Sequence, residues 1–154
     1  MKTAEAQFHF PVLGFTPDRE IWGFQDLATL TSCGPRTLKN DMQIGMELID
    51  SDGRRWIVRS VRRTGRGEPL LLWLVSFLLS TPQSRVEHEL DELESVSLGE
   101  AQDRACASLE AFPDYYCADD EREEILEPLL AQVRSADSVA RIHELLGLDS
   151  FMAC

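Results

Sequence analysis

Wherever a pattern is readable in the first 96 residues, apolar and polar positions alternate in strand fashion, and after Val96 the apolar positions recur at helical spacing. The clearest local unit runs from Met46 to Val61. An apolar run, the turn cluster Asp50-Ser-Asp-Gly53 and the β-rich run Trp56-Ile-Val follow one another there, which predicts a hairpin. Asp52-Gly53 makes the turn, because glycine supplies the positive φ such a loop requires. A third strand is predicted over 85–93, where Val86, His88 and Leu90 alternate with Arg85, Glu87, Glu89 and Asp91. Its wet face is acidic, so beside 56–63 it would set Glu87 and Glu89 opposite Arg59 or Arg63. Between these strands the run Pro69 to Leu79 is rich in leucine, which favours helix, while its place in a meander permits a buried strand. Both readings stand at this level. Upstream, Phe8, Phe10, Val12 and Phe15 among Pro11, Gly14 and Pro17 predict an extended segment. Ile21 to Leu30 predicts one short element ended by Thr31-Ser-Cys-Gly-Pro35.

The helical half opens at Ser97, an N-cap with Glu100 placed to complete a capping box. Leu98, Ala101, Ala105, Leu109 and Phe112 then form a stripe that suits packing on a sheet, and Pro113 stops the helix. Ile125, Leu126, Leu129, Leu130 and Val133 predict a second helix, kinked or delayed by Pro128. Asp137 or Ser138 caps a last helix that turns Val139, Ile142, Leu145 and Leu146 inward and stops at Gly147. His143, next to Glu144, is expected on its solvated side.

Strands followed by two or three helices define an α+β fold: an N-terminal antiparallel β-sheet over 1–96 with a helical region over 97–154 packed on it, as one compact domain. The segment Gly45-Met-Glu-Leu-Ile-Asp-Ser-Asp-Gly-Arg-Arg-Trp-Ile-Val58 resembles the central strands of small SH3-like barrels. That resemblance implies a fold and no function, since such barrels host many activities.

Charge changes this picture. The chain has 154 residues and a formal net charge of −12, with 44% hydrophobic residues. Residues 1–84 hold ten basic and nine acidic side chains, whereas residues 85–154 hold five and eighteen. Within the first half, Arg54, Arg55, Arg59, Arg62, Arg63 and Arg66 fall in a stretch without an acid. The overall sign argues against nucleic acid or an anionic membrane as partner and favours a basic one, beside the plain reading that acidity serves solubility. No apolar run approaches the length of a bilayer span, and Met1 to Phe10 lack a secretory pattern. Four cysteines without a CxxC fit reduced thiols. A cytoplasmic protein is therefore expected.

Candidate chemistry is sparse. His9, His88 and His143 form no zinc-ligand spacing, and Asp50, Asp52 and Gly53 depart from the calcium-loop pattern. Arg63-Thr-Gly-Arg-Gly67 is not a phosphate-binding loop. Cys33 lacks the flanking signature of a nucleophile and reads as a buried or half-buried, unreactive thiol. No catalytic set, metal or cofactor is expected. The segment Asp114-Tyr-Tyr-Cys-Ala-Asp-Asp-Glu-Arg-Glu-Glu124 is the candidate contact surface. Tyr115 and Tyr116 would anchor a partner, and Asp119, Asp120, Glu123 and Glu124 would steer and pair with its cations. The competing reading packs the tyrosines onto the helices and uses the carboxylates to cap the next one.

In size, acidity and scarcity of motifs the chain resembles the immunity proteins of bacterial toxin systems. The resemblance implies a non-catalytic inhibitor that covers the basic cleft of a toxin by presenting carboxylates where phosphate would sit. The alternative expectation is an SH3-like regulatory or adaptor domain of a larger complex.

Overall fold

The computed structural model describes residues 1–66, 70–78, 83–117 and 122–148. Two short strands, Val12–Phe15 (β1) and Ile21–Phe24 (β2), form the first antiparallel pair. Leu27–Leu30 (α1), Ser32–Cys33 (β3) and Pro35–Lys39 (α2) follow, then Glu47–Ile49 (β4) and Arg55–Arg66 (β5). Leu70–Leu78 (α3) stands between β5 and Ser84–Leu93 (β6). The C-terminal helices are Leu98–Ala111 (α4), Glu127–Arg134 (α5) and Val139–Leu145 (α6). The fold is α+β, and the strands make one curled antiparallel sheet in the order β2-β1-β4-β5-β6-β3.

The hairpin forms where the turn chemistry put it. Gly53 has φ 78°, and a Cβ there would also stand 2.6 Å from the Val96 carbonyl oxygen, so glycine answers both a backbone and a space requirement. Asp50 organises the rest of the turn. Its Oδ1 accepts from the backbone N–H of Asp52 and Arg54, both at 3.0 Å, and its Oδ2 accepts from that of His9 at 3.2 Å. The hairpin thereby holds the chain that leads into β1, and Phe8 packs against Trp56 with ring centroids 4.5 Å apart.

Alternation along the strands builds two cores, one on each face of the sheet. Val12, Phe24, Leu48, Trp56, Val58 and Leu90 belong to one cluster. Leu13, Phe15, Ile21 and Ile49 belong to the other, with Ala105 and Leu109 of α4, Leu130 and Val133 of α5, and Ile142 of α6. Adjacent residues of β1 and β4 thus enter different cores, which is why these strands read as continuous apolar runs.

The cross-strand pairs differ from expectation by register. Arg59 meets Asp91 at 2.7 Å, Arg62 meets Glu87 at 3.0 Å, and Ser60 bonds Glu89. An irregularity between Val58 and Ser60 shifts the pairing by one residue, so Glu89 stands opposite Ser60 rather than Arg59 and Glu87 opposite Arg62, while Arg63 pairs with Val86. Within the leucine run Leu70–Leu78 is helix, while Pro69 and Leu79 lie outside the described residues. Ile21 to Leu30 is two elements rather than one, and Ser32–Cys33, expected as a turn, pairs with Ser84 and Arg85 as a strand.

Ser97 caps α4 by accepting from the Glu100 N–H, but the return half of the capping box is replaced: the Glu100 carboxylate goes to Arg104 at 2.9 Å and Arg55 at 3.7 Å. Glu47 joins them, 2.6 Å from Arg104, so a four-member ionic cluster fastens α4 to β4 and β5. Pro128 acts as foreseen, with a delayed start: it has no N–H for the carbonyl of Glu124, and a wide π-helical turn at Arg122–Leu126 precedes α5. Ser138, rather than Asp137, caps α6 through the Arg141 N–H.

His143 corrects the expectation of a solvated side chain. It is buried, because α6 lies directly over β2 at Gly23. A Cβ at Gly23 would fall 2.3 Å from Leu148 Cβ and 2.6 Å from His143 Nε2. Gly23→Ala is therefore expected to lower stability by about 1–3 kcal/mol, the usual cost of overpacking. A urea unfolding midpoint equal to that of the unaltered protein would show that helix and strand are not held this closely.

Candidate partner-binding face and the cavity beneath it

Pro113 ends α4 and starts a tight 3-10 turn, Pro113–Tyr115, which projects the two tyrosines differently. Tyr115 is 55% exposed yet fixed. Its ring stacks on Phe112 with centroids 5.4 Å apart and planes 7° from parallel, and its hydroxyl donates to Glu20 Oε1 at 3.3 Å. The other oxygen of Glu20 accepts from Trp22 Nε1 at 3.2 Å. The Glu20 charge beside it raises the Tyr115 phenol above its ordinary pKa, with burial and the hydrogen bond adding to the effect. Tyr116 turns inward against the helix-side core, and burial pushes its phenol up to about 12.

Of the predicted contact residues, the structure brings Tyr115 and Tyr116 to one place. Glu123 and Glu124 are exposed in the π-helical turn, where the positive end of a helix favours carboxylates, so these two fit both the contact and the capping reading. Asp119 and Asp120 lie outside the described residues. The arginine cluster is largely engaged within the fold: Arg54 pairs with Glu92, Arg55 with Glu47 and Glu100, Arg59 with Asp91, and Arg62 with Glu87. Glu87 also takes Lys2, and the hydrogen bonds from Lys2 and Arg62 hold its carboxyl below the usual carboxylate range.

Beneath the tyrosines lies a cavity of about 270 Å³ that no local sequence pattern announces. Glu20 and the β2 residues Ile21, Trp22 and Gly23 form one wall, and β3 with the start of α2 forms another. Gln43, Gln83 and Ser108 complete it with Tyr115 and Tyr116. Cys33 lines this cavity as a buried thiol whose pKa is raised by burial, partly offset by Arg63. Burial was expected of Cys33, but its place in a cavity wall was not.

His88 sits behind this wall, 1% exposed, with no charged partner on its ring. Its Nδ1 is 3.1 Å from Thr3 Oγ1 and its Nε2 is 3.1 Å from Gln43 Oε1. Burial lowers its pKa to about 4, so the ring is neutral at pH 7. With both nitrogens so engaged, His88 offers no free base to the Cys33 thiol. Among the described residues, no group of three or more His, Cys, Asp or Glu is arranged to hold a metal ion, and no helix is long and apolar enough to cross a membrane.

The chain matches no family model, and neither the curated proteins nor the solved structures give a match.

Proposed function

We propose that this chain is a non-catalytic protein-binding module, and most concretely an immunity-type inhibitor that engages a basic, toxin-like protein through its acidic face. The observation that carries the reading is Tyr115: a large aromatic side chain that is mostly exposed yet held rigid by Phe112 and Glu20. Such preorganised, amphipathic anchors contribute strongly to binding because little rotamer freedom is lost on contact. Carboxylates at Glu20, Glu123 and Glu124, with Asp119 and Asp120 in the same segment, supply the steering charge. The pairing of most hairpin arginines inside the sheet leaves the net negative charge of the chain to dominate its long-range field.

The test begins with affinity capture from the cells that make the protein. A small basic partner is the expected product; recovery of no protein, together with turnover of a metabolite, would overturn the reading. With the captured partner, the variant carrying Asp119→Asn, Asp120→Asn, Glu123→Gln and Glu124→Gln is expected to associate about tenfold more slowly at low salt, with a smaller difference at high salt. An unchanged association rate would remove the acidic segment from the interface.

A second reading, a regulatory or adaptor domain of a larger complex, is favoured by α3. Leu71 is 76% and Leu78 81% exposed on a helix of nearly continuous apolar sequence. Capture of a large assembly instead of a small basic protein would favour it.

A further inference from the structure

The sheet is curled, and its two end strands carry hydrogen-bonding edges that the fold does not use. In an antiparallel pair, alternate residues point their N–H and C=O toward the neighbouring strand and away from it. Thr16 N–H donates to the Glu20 carbonyl in continuation of the β1–β2 register, so Trp22 and Phe24 bond to β1 while Ile21 and Gly23 turn their backbone groups outward. At the other end of the sheet, Val86 N–H donates to the Thr31 carbonyl, so the backbone groups of Cys33 point to β6 and those of Ser32 point outward. β2 and β3 do not pair with each other. Among the described residues, no other hydrogen bond takes up the outward groups of Ile21, Gly23 and Ser32.

The cavity beneath the tyrosines lies between these two edges, with Ile21, Trp22 and Gly23 on one side and Ser32, Cys33 and Gly34 on the other. Ile21 and Gly23 are buried, and buried backbone groups without partners are rare in native folds. Both edges call for the same thing. An extended main chain offers N–H and C=O on each of its sides, so one strand laid in the gap pairs with both edges at once. Inside the gap, charge selects no side chain, because Glu20 stands on the β2 side and Arg63 acts on Cys33 from the β3 side. Outside it, the field is that of a chain with net charge −12, which suits cations on the outer positions of the strand. Tyr115 lines the same cavity, so the gap is continuous with the contact face described above.

We propose that the gap between β2 and β3 is a strand-acceptor site: the basic partner lays an extended segment between the edges of Ile21, Gly23 and Ser32, main chain to main chain, with Tyr115 beside it. The inference rests on the partner-binding reading and states how the partner is gripped.

The probe is the peptide acetyl-Lys-Val-Lys-Val-Lys-Val-amide, added at millimolar concentration to the full, isotope-labelled chain while amide hydrogen exchange is followed by NMR. In the free chain, the amides of Ile21, Gly23 and Ser32 are expected to exchange at least about tenfold faster than those of Trp22 and Phe24. The peptide is expected to slow these three at least about tenfold and to leave Trp22 and Phe24 unchanged. N-Methylation of every valine, which blocks one edge of the peptide, is expected to weaken binding at least about tenfold. The counterpart with Glu in place of each Lys is expected to bind more weakly, with a smaller difference at high salt. Gly34 has φ −73° and ψ 163°, and a Cβ there would meet only Gln83 Nε2, at 3.9 Å. Gly34→Leu therefore enters the gap without backbone strain, and is expected to remove the effect of the peptide while Trp22 and Phe24 stay protected. Slow exchange of all three amides in the free chain, no slowing by the peptide, or equal affinity for the N-methylated form would overturn the proposal. A captured basic partner that leaves the three amides unprotected would overturn this mode of docking and spare the partner-binding reading. Protection by the peptide with no partner recovered from cells would keep the acceptor site and remove that reading.

Discussion

Replacing Asp50 by alanine is expected to destabilise the protein by several kcal/mol. The carboxylate is wholly buried and receives three backbone N–H groups, from His9, Asp52 and Arg54. Each donor stranded away from water costs about 1–3 kcal/mol, and partial access of the turn to solvent brings the total to about 3–5 kcal/mol. The damage also reaches beyond the turn, since His9 ties the leading segment to the hairpin and Phe8 closes over Trp56. Asp50→Asn retains an oxygen for Asp52 and Arg54 while setting an amide N–H against the His9 N–H, so its loss should be smaller, about 1–2 kcal/mol. Urea denaturation of the two variants checks the argument. Equal losses would mean that charge, and not acceptor geometry, is what the site requires.

Acid should act through His88. Because burial lowers its folded pKa from 6.5 to about 4, the unfolded chain binds the proton more readily between those values. The associated stability is complete above pH 6.5 and declines as pH falls toward 4, by about 2–3 kcal/mol at pH 4.5. Carboxylates titrate in the same region, so the comparison is with His88→Gln, which keeps a donor toward Gln43 but has no site for a proton. That variant starts less stable at pH 7 and should lose less between pH 7 and 4.5. If both proteins lose the same amount over this interval, the imidazole is not the group responsible.

Features governed by neighbouring residues were legible from the sequence. Asp52-Gly53, the alternation through Val86, His88 and Leu90, the Ser97 cap and the Pro128 interruption each need only a few adjacent positions, and all four appear in the structure. What escaped was set by distant contacts. Cys33 sits in a Ser-Cys-Gly-Pro sequence that looks like a turn locally, yet its backbone pairs with Ser84, far along the chain. His143 looks like a surface residue beside Glu144, and only the glycine opposite it on β2 betrays that two elements approach closely there. The register of β5 on β6 was missed by one or two residues because bulges leave no compositional mark. At the candidate site, the sequence singled out the two tyrosines as candidate anchors; Tyr115 is exposed, whereas Tyr116 packs inward as the competing reading had it. Glu20, which fixes Tyr115, and Gln43, which faces the cavity, are single polar residues in irregular segments, with no periodicity to distinguish them.

The two cores share one wall. Val12 and Leu48 belong to one and their immediate neighbours Leu13 and Ile49 to the other. Melting the helices would uncover one side of β1 and β4 while their opposite side remained packed, and losing the hairpin core would remove the platform on which the helices rest. Severing the chain between Val96 and Ser97 would therefore not produce two autonomous halves: each fragment would present a broad greasy surface and depend on the other to become soluble, as the parts of a split reporter do.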